Sequence, residues 1–216
     1  MFKIDSPIIN FLSRLVDIVV LNLLFLICSI PVVTMGASLT AMYYVTVKMV
    51  KNEESYIWRD FFKSFKQNFK QATIIWCLNL FAIVVLVVDV LVVYRGISGE
   101  HSSMLLIAVI FMGIILTAEM LYVYPVLSHF ENSVKNTIRN AFILALGNLP
   151  YTVLFLIIGV FPLLAFISPV GGYVAPLILL MGVSGPAYLC SLGWKRIFAK
   201  LESKEKFSGE NEQEED

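Results

Sequence analysis

TIIWCLNLFAIVVLVVDVLVVY, residues 73–94, carries a single charged residue, Asp89. A helix needs about 20 mostly apolar residues to cross the hydrocarbon core of a bilayer, and this run meets that length, whereas a strand would be far shorter. It predicts a transmembrane helix. Immediately before it stands SYIWRDFFKSFKQNFKQ, residues 55–71, in which Ile57, Trp58, Phe61, Phe62, Phe65 and Phe69 recur at three- and four-residue spacing. That spacing places them on one face of a helix, with Arg59, Lys63, Lys66 and Lys70 outside the apolar set. Glu53 and Glu54 sit near the positive end of a helix starting at Ser55. An amphipathic interfacial helix leading into a span is the reading these two stretches support.

The rest of the chain repeats the pattern of 73–94. Apolar runs cover Leu15–Val33, Ala37–Val50, Ser103–Leu127, Ala141–Ile167 and Tyr173–Leu192. Pro150 and Pro162 can kink the fifth span. Hydrophobic residues make up 58% and charged residues 15% of the 216 residues, against about 45–50% and 25% in soluble domains. The expected fold is therefore an all-α polytopic membrane bundle of six hydrophobic helices plus the interfacial helix. Residues 1–194 form the membrane domain, including the segment 55–71, and residues 195–216 form a charged tail whose end, GENEQEED, is low enough in apolar residues to be disordered.

Ala37–Val50 is short for a crossing, which leaves five or six spans. Charge decides between them. With six crossings and both termini inside, every Lys and Arg except Arg95 falls on one side, as the positive-inside rule requires; with five, Lys3 and Arg14 move outside. Six is the favoured count, in a plasma membrane with both termini cytoplasmic. Asp5 and Asp17 spoil a basic leader, so the first run is expected to be a retained anchor.

Few residues suggest chemistry. Cys28, Cys77 and Cys190 all lie in apolar runs and match neither a disulfide framework nor a metal motif. His101 and His129 stand at loop edges without partners at ligand spacing. No cofactor, metal or nucleic acid is expected, and no Ser/His, paired-Asp or metal constellation points to an enzyme. Glu119 is the exception to a bland interior: a carboxyl near a span centre costs about 2.5–3.5 kcal/mol on insertion scales. Counted at 1.5 Å per residue, Asn22, Asn79, Glu119 and Asn148 lie at similar depth, roughly 10 Å inside the cytoplasmic boundary. They are expected either to line a polar cavity or to act as interhelical hydrogen-bond glue, and glue is favoured. Trp58, Phe61, Phe62, Phe65, Phe69, Lys63, Lys66 and Lys70 are the candidate set for docking on lipid or a partner, against the plainer reading of a connector.

The stretch IPVVTMGASLTAMYYVTVKMVKNEESYIWRDFFKSFKQNFKQATIIW, residues 30–76, resembles the hallmark of the YesL-like family, uncharacterised membrane proteins found chiefly in Gram-positive bacteria. YPVLSHFENSVKNTIRNAFILALGNLP, residues 124–150, resembles the same family's inner-loop region, with Pro125, Phe130, Asn132, Asn140 and Ala141 in the expected places and His129 where members often carry Arg. The resemblance implies no catalytic residues, because the family supplies none. Its genes often lie near those for carbohydrate uptake, which implies an accessory or regulatory membrane component that contacts a sugar-uptake transporter or sensor subunit. The alternative is a small solute transporter or channel using the layer around Glu119.

Overall fold

A computed structural model of the protein describes residues 7–53, 56–95, 102–169 and 171–214. Lys3, the expected helix start at Ser55, most of the loop 95–102 with His101, and residues 215–216 lie outside them. Among the described residues every regular element is a helix: α1 Pro7–Cys28, a 3-10 turn Val32–Thr34, α2 Met35–Lys51, α3 Ile57–Tyr94, α4 Ser102–His129, α5 Val134–Gly147, α6 Leu149–Ile167, α7 Gly171–Met181 and α8 Ser184–Glu214. By length and apolar composition α1, α3, α4 and α6 can each cross a membrane, and α7 with α8 makes a fifth if the bent pair is one span. Large apolar side chains such as Ile27, Phe81, Phe111 and Ile157 are exposed on these helices, as expected where the surrounding solvent is itself hydrocarbon.

α2 is the hub, packing on α1, α3, α4 and α8. None of its residues is exposed. Small residues make this burial possible: a Cβ on Gly36 would lie 2.6 Å from the Ala72 carbonyl oxygen and 2.7 Å from Trp76 Cβ, so only glycine permits the α2–α3 approach seen. Polar side chains on α2 stay bonded, Thr40 to the Gly36 carbonyl at 2.9 Å and Thr46 to Ser191 of α8 at 2.8 Å. At its end Asn52 adopts a left-handed conformation with φ 57°. The last carbonyls are met by cations from two other helices, Arg14 on Met49 O at 3.4 Å and Lys195 on Val50 O at 3.2 Å, the arrangement a helix C-terminus favours.

The second apolar run therefore behaves differently from a lipid-facing span. With 17 residues it reaches about 25 Å, and it is not among the helices able to cross alone. Enclosed by neighbours, it needs no apolar outer face. It returns the chain to the end of the bundle where Arg14 lies, and Lys48 there pairs with Asp60 at the start of α3 at 2.8 Å.

The first helix starts at Pro7 and ends at Cys28 instead of covering Leu15–Val33, and four further boundaries differ from the sequence expectation. α3 is one helix of 38 residues, with no break between the amphipathic segment and the span, because nothing from Ile57 to Tyr94 is Gly or Pro. The change of polarity near Gln71 alters what the helix faces and leaves its backbone intact. The fifth apolar run is divided at Asn148 into α5 and α6, where Pro150 in the first turn of α6 lacks the N–H that would continue α5. The sixth is bent by 58° between α7 and α8, and Pro186 in the first turn of α8 likewise leaves the Gly182 carbonyl without a helical donor. α8 itself continues as helix to Glu214, through the stretch whose composition suggested disorder.

An aromatic stack fastens α4, α6 and α8. Trp194 meets Tyr122 edge-on at 4.8 Å and Phe155 face-on at 5.4 Å, and Phe198 continues the stack from Trp194 at 5.1 Å to the His129 ring at 4.2 Å.

Candidate functional site

The N-terminal half of α3 has two faces. Asp60, Phe61 and Ser64 are buried, with Phe62 and Phe65 packed on the same core, so most of the aromatic stripe is spent inside the protein. The Trp58–Phe62, Phe61–Phe65 and Phe65–Phe69 ring contacts, at 4.9, 6.1 and 5.5 Å, run along the helix. What remains outside is Trp58, 64% exposed, and Phe69, 40% exposed, interleaved with exposed Arg59, Lys63, Lys66 and Lys70. Of the candidate docking residues, the exposed aromatics and the lysines are available to a partner or a lipid surface, and Phe61 is not. At 38 residues α3 is about 57 Å long, against a hydrocarbon core of about 30 Å, so this basic face is carried on a rod continuous with the span.

The four polar residues assigned to one depth do not form one contact group. Asn22, fully buried on α1, serves the α7–α8 bend: its Nδ2 donates to Leu179 O at 2.7 Å, and its Oδ1 accepts from the amides of Val183 and Ser184 at 3.2 and 3.0 Å. Broken helices inside membranes are tolerated where other groups bond the freed backbone, and Asn22 does so here. Asn148 sits at the α5–α6 junction, where its Nδ2 donates to Leu144 O at 3.0 Å. Asn79 and Glu119 do come together, across α3 and α4. Asn79 donates to the Tyr124 hydroxyl at 3.4 Å and is the polar side chain beside Glu119. Glu119 is 2% exposed, and neither of its carboxyl oxygens makes a hydrogen bond among the described residues.

Tyr124 completes this trio and was not legible from spacing, since an aromatic in a span reads as packing until its hydroxyl finds a partner. The same holds for Tyr122, whose hydroxyl bonds Thr152 at 2.8 Å, and for Tyr188, whose hydroxyl accepts from Arg14 at 2.8 Å.

One turn beyond Phe198 on α8, Glu202 reaches back to the bundle. Its Oε1 lies 2.9 Å from His129 Nε2 and 3.7 Å from Lys51 Nζ. The hydrogen bond to His129, with the nearby Lys51 charge, holds the Glu202 carboxyl below the usual glutamate range. Among the described residues no group of His, Cys, Asp and Glu could hold a metal ion.

These elements define an all-α membrane helix bundle with a polar group in its interior and a basic, aromatic rod at one end. Residues 18–90 of the chain, from within α1 through most of α3, match a family model described as "Protein of unknown function, DUF624". No curated protein matches the chain, and no solved structure does.

Proposed function

We propose that this protein is a non-catalytic accessory or regulatory component of the plasma membrane that contacts a sugar-uptake transporter or sensor subunit through the N-terminal half of α3. The carrying observation is the face Trp58, Lys63, Lys66, Phe69 and Lys70, exposed on a helix whose opposite face is packed against α2. A rigid amphipathic rod of this kind suits recognition of an acidic or apolar surface. Because the helix is unbroken to Tyr94, a force on the rod passes to the span. The carbohydrate association follows from the resemblance to the YesL-like family. The charge distribution supports a cytoplasmic location for both termini, and with them for the rod. A solute pathway through Asn22, Asn79, Glu119 and Asn148 is the weaker reading, because Asn22 and Asn148 use their hydrogen bonds at separate helix breaks.

Photo-reactive residues placed at Lys66 and Phe69 in native membranes, followed by mass spectrometry of the adducts, test this reading. Capture of a sugar-uptake permease or sensor subunit supports it. Adducts with lipid alone, or with no transport or signalling protein, overturn it.

A further inference from the structure

We infer that Glu119, together with Asn79 and Tyr124, forms a proton-binding site inside the membrane at the junction of α3 and α4. This inference is independent of the partner proposed above.

The geometry begins with an imbalance. Most buried polar side chains in the bundle are bonded: Asn22 to the α7–α8 bend, Thr46 to Ser191, and Ser184 to Ile18 O. Glu119 is as deeply buried, yet among the described residues neither oxygen makes a hydrogen bond of good geometry, and Asn79 is the polar side chain lying against it. A carboxylate in that position would carry an uncompensated charge in a low-dielectric interior, whereas the neutral acid has a single O–H to place. Asn79 and Tyr124 are the groups beside it that can accept or donate. Binding is the addition of one proton to one carboxylate oxygen, with no other bond made or broken.

Among the described residues no charged group bonds Glu119. On α2, Lys48 and Lys51 are engaged by Asp60 and Glu202, and Tyr43 and Tyr44 make no hydrogen bond to Glu119. On α3 the titratable groups of the span are Cys77, Asp89 and Tyr94, none of them bonded to it, and α5 and α6 offer exposed Lys135 and Arg139 and the phenol of Tyr151, again without a bond to it. Tyr124, bonded through its hydroxyl to Asn79, is the phenol beside the carboxyl.

The packing beside the site is loose. Next to it lies an apolar crevice of about 440 Å³ between α3 and α4, lined among others by Ile83, Val109, Gly113, Leu116 and Met120. Ile83 lies one turn from Asn79, and Leu116 and Met120 flank Glu119 in sequence. The helix pair thus closes at the carboxyl and is loosely packed immediately beyond it. Loss of the proton would leave a charge beside this crevice, a state the junction can hold only by admitting water.

Infrared spectroscopy of the full chain in lipid bilayers tests the site without a transport assay. Expected is a deuterium-sensitive protonated-carboxyl band at neutral pH that disappears on alkaline titration and is lost in Glu119→Gln. If Glu119→Gln does not accumulate, Glu119→Asp, which keeps the acid on a shorter arm, makes the assignment by shifting the band. Absence of the band at neutral and mildly acidic pH would overturn the inference, because the group would then be a carboxylate. A band that persists unchanged throughout alkaline titration would overturn it too, since a permanently neutral acid exchanges nothing and is structural.

Discussion

Asn22 and Ser184 join the first helix to the last: the Ser184 amide donates to Asn22 Oδ1 at 3.0 Å, while the Ser184 hydroxyl donates to the Ile18 carbonyl one turn earlier at 2.8 Å. The α7–α8 bend is therefore held by α1. Asn22→Leu keeps the volume and removes the bonds to Leu179, Val183 and Ser184. A cost of about 1–3 kcal/mol is expected for leaving buried backbone groups unpaired. Thermal unfolding in detergent should show a lower midpoint, and limited proteolysis should open the chain near Gly182. An unchanged midpoint would show that the bend supports itself.

Gly36 sets the α2–α3 distance. Gly36→Ala places a methyl within 3 Å of the Ala72 carbonyl and the Trp76 side chain, and backbone cannot yield as a flexible side chain can. Overpacking of this kind costs about 1–3 kcal/mol, so the variant should melt earlier than wild type. Gly147→Ala, where nothing lies within 4 Å, serves as the control that should not.

The continuity of α3 is tested by Gln71→Pro. Proline within a helix costs about 3 kcal/mol and removes one backbone hydrogen bond. Amide exchange should rise around residues 67–71, and the adducts formed from Lys66 should change if the rod is held in place by the span. Unaltered exchange would mean that packing on α2 alone positions the segment.

At Glu202 the sign is that of a carboxyl held below its ordinary value. Its contact with His129 and Lys51 contributes fully above the unfolded glutamate pKa, about 4.3, and is lost as pH falls through the lower folded value. Glu202 is half exposed, so solvent screening limits the contribution to about 0.5 kcal/mol or less. Wild type should lose its small stability advantage over Glu202→Gln on acidification below that range, measured as the difference in unfolding midpoints. A difference that grows at acidic pH would contradict the assignment.

Which features of this architecture were legible in advance follows from what local sequence encodes. Long apolar runs such as 73–94 announce themselves through solvent preference alone, and the basic residues mark their common end. Helix breaks are subtler. Pro150 and Pro186 were visible, yet the consequence of Pro186 depends on Asn22 being there to bond the freed amides, which no spacing reveals. The boundary near Gln71 was drawn where polarity changes, although helix continuity is a backbone property and nothing there interrupts it. For the interior polar residues, depth could be counted but azimuth could not. Asn22 and Asn148 turn towards helix ends, while Asn79 and Glu119 turn towards each other.

The enclosure of α2 has a consequence for biogenesis. A segment of 17 residues bearing Lys48, Lys51 and several hydroxyls gains little by partitioning from the translocon into lipid on its own, and the neighbours that make it comfortable include α8, synthesised more than a hundred residues later. Until α8 arrives, Arg14 lacks Tyr188, Thr46 lacks Ser191 and the Val50 carbonyl lacks Lys195. The nascent chain must therefore shelter α2 between α1 and α3 as a provisional cluster, and α8, when it arrives, locks α1 and α2 together.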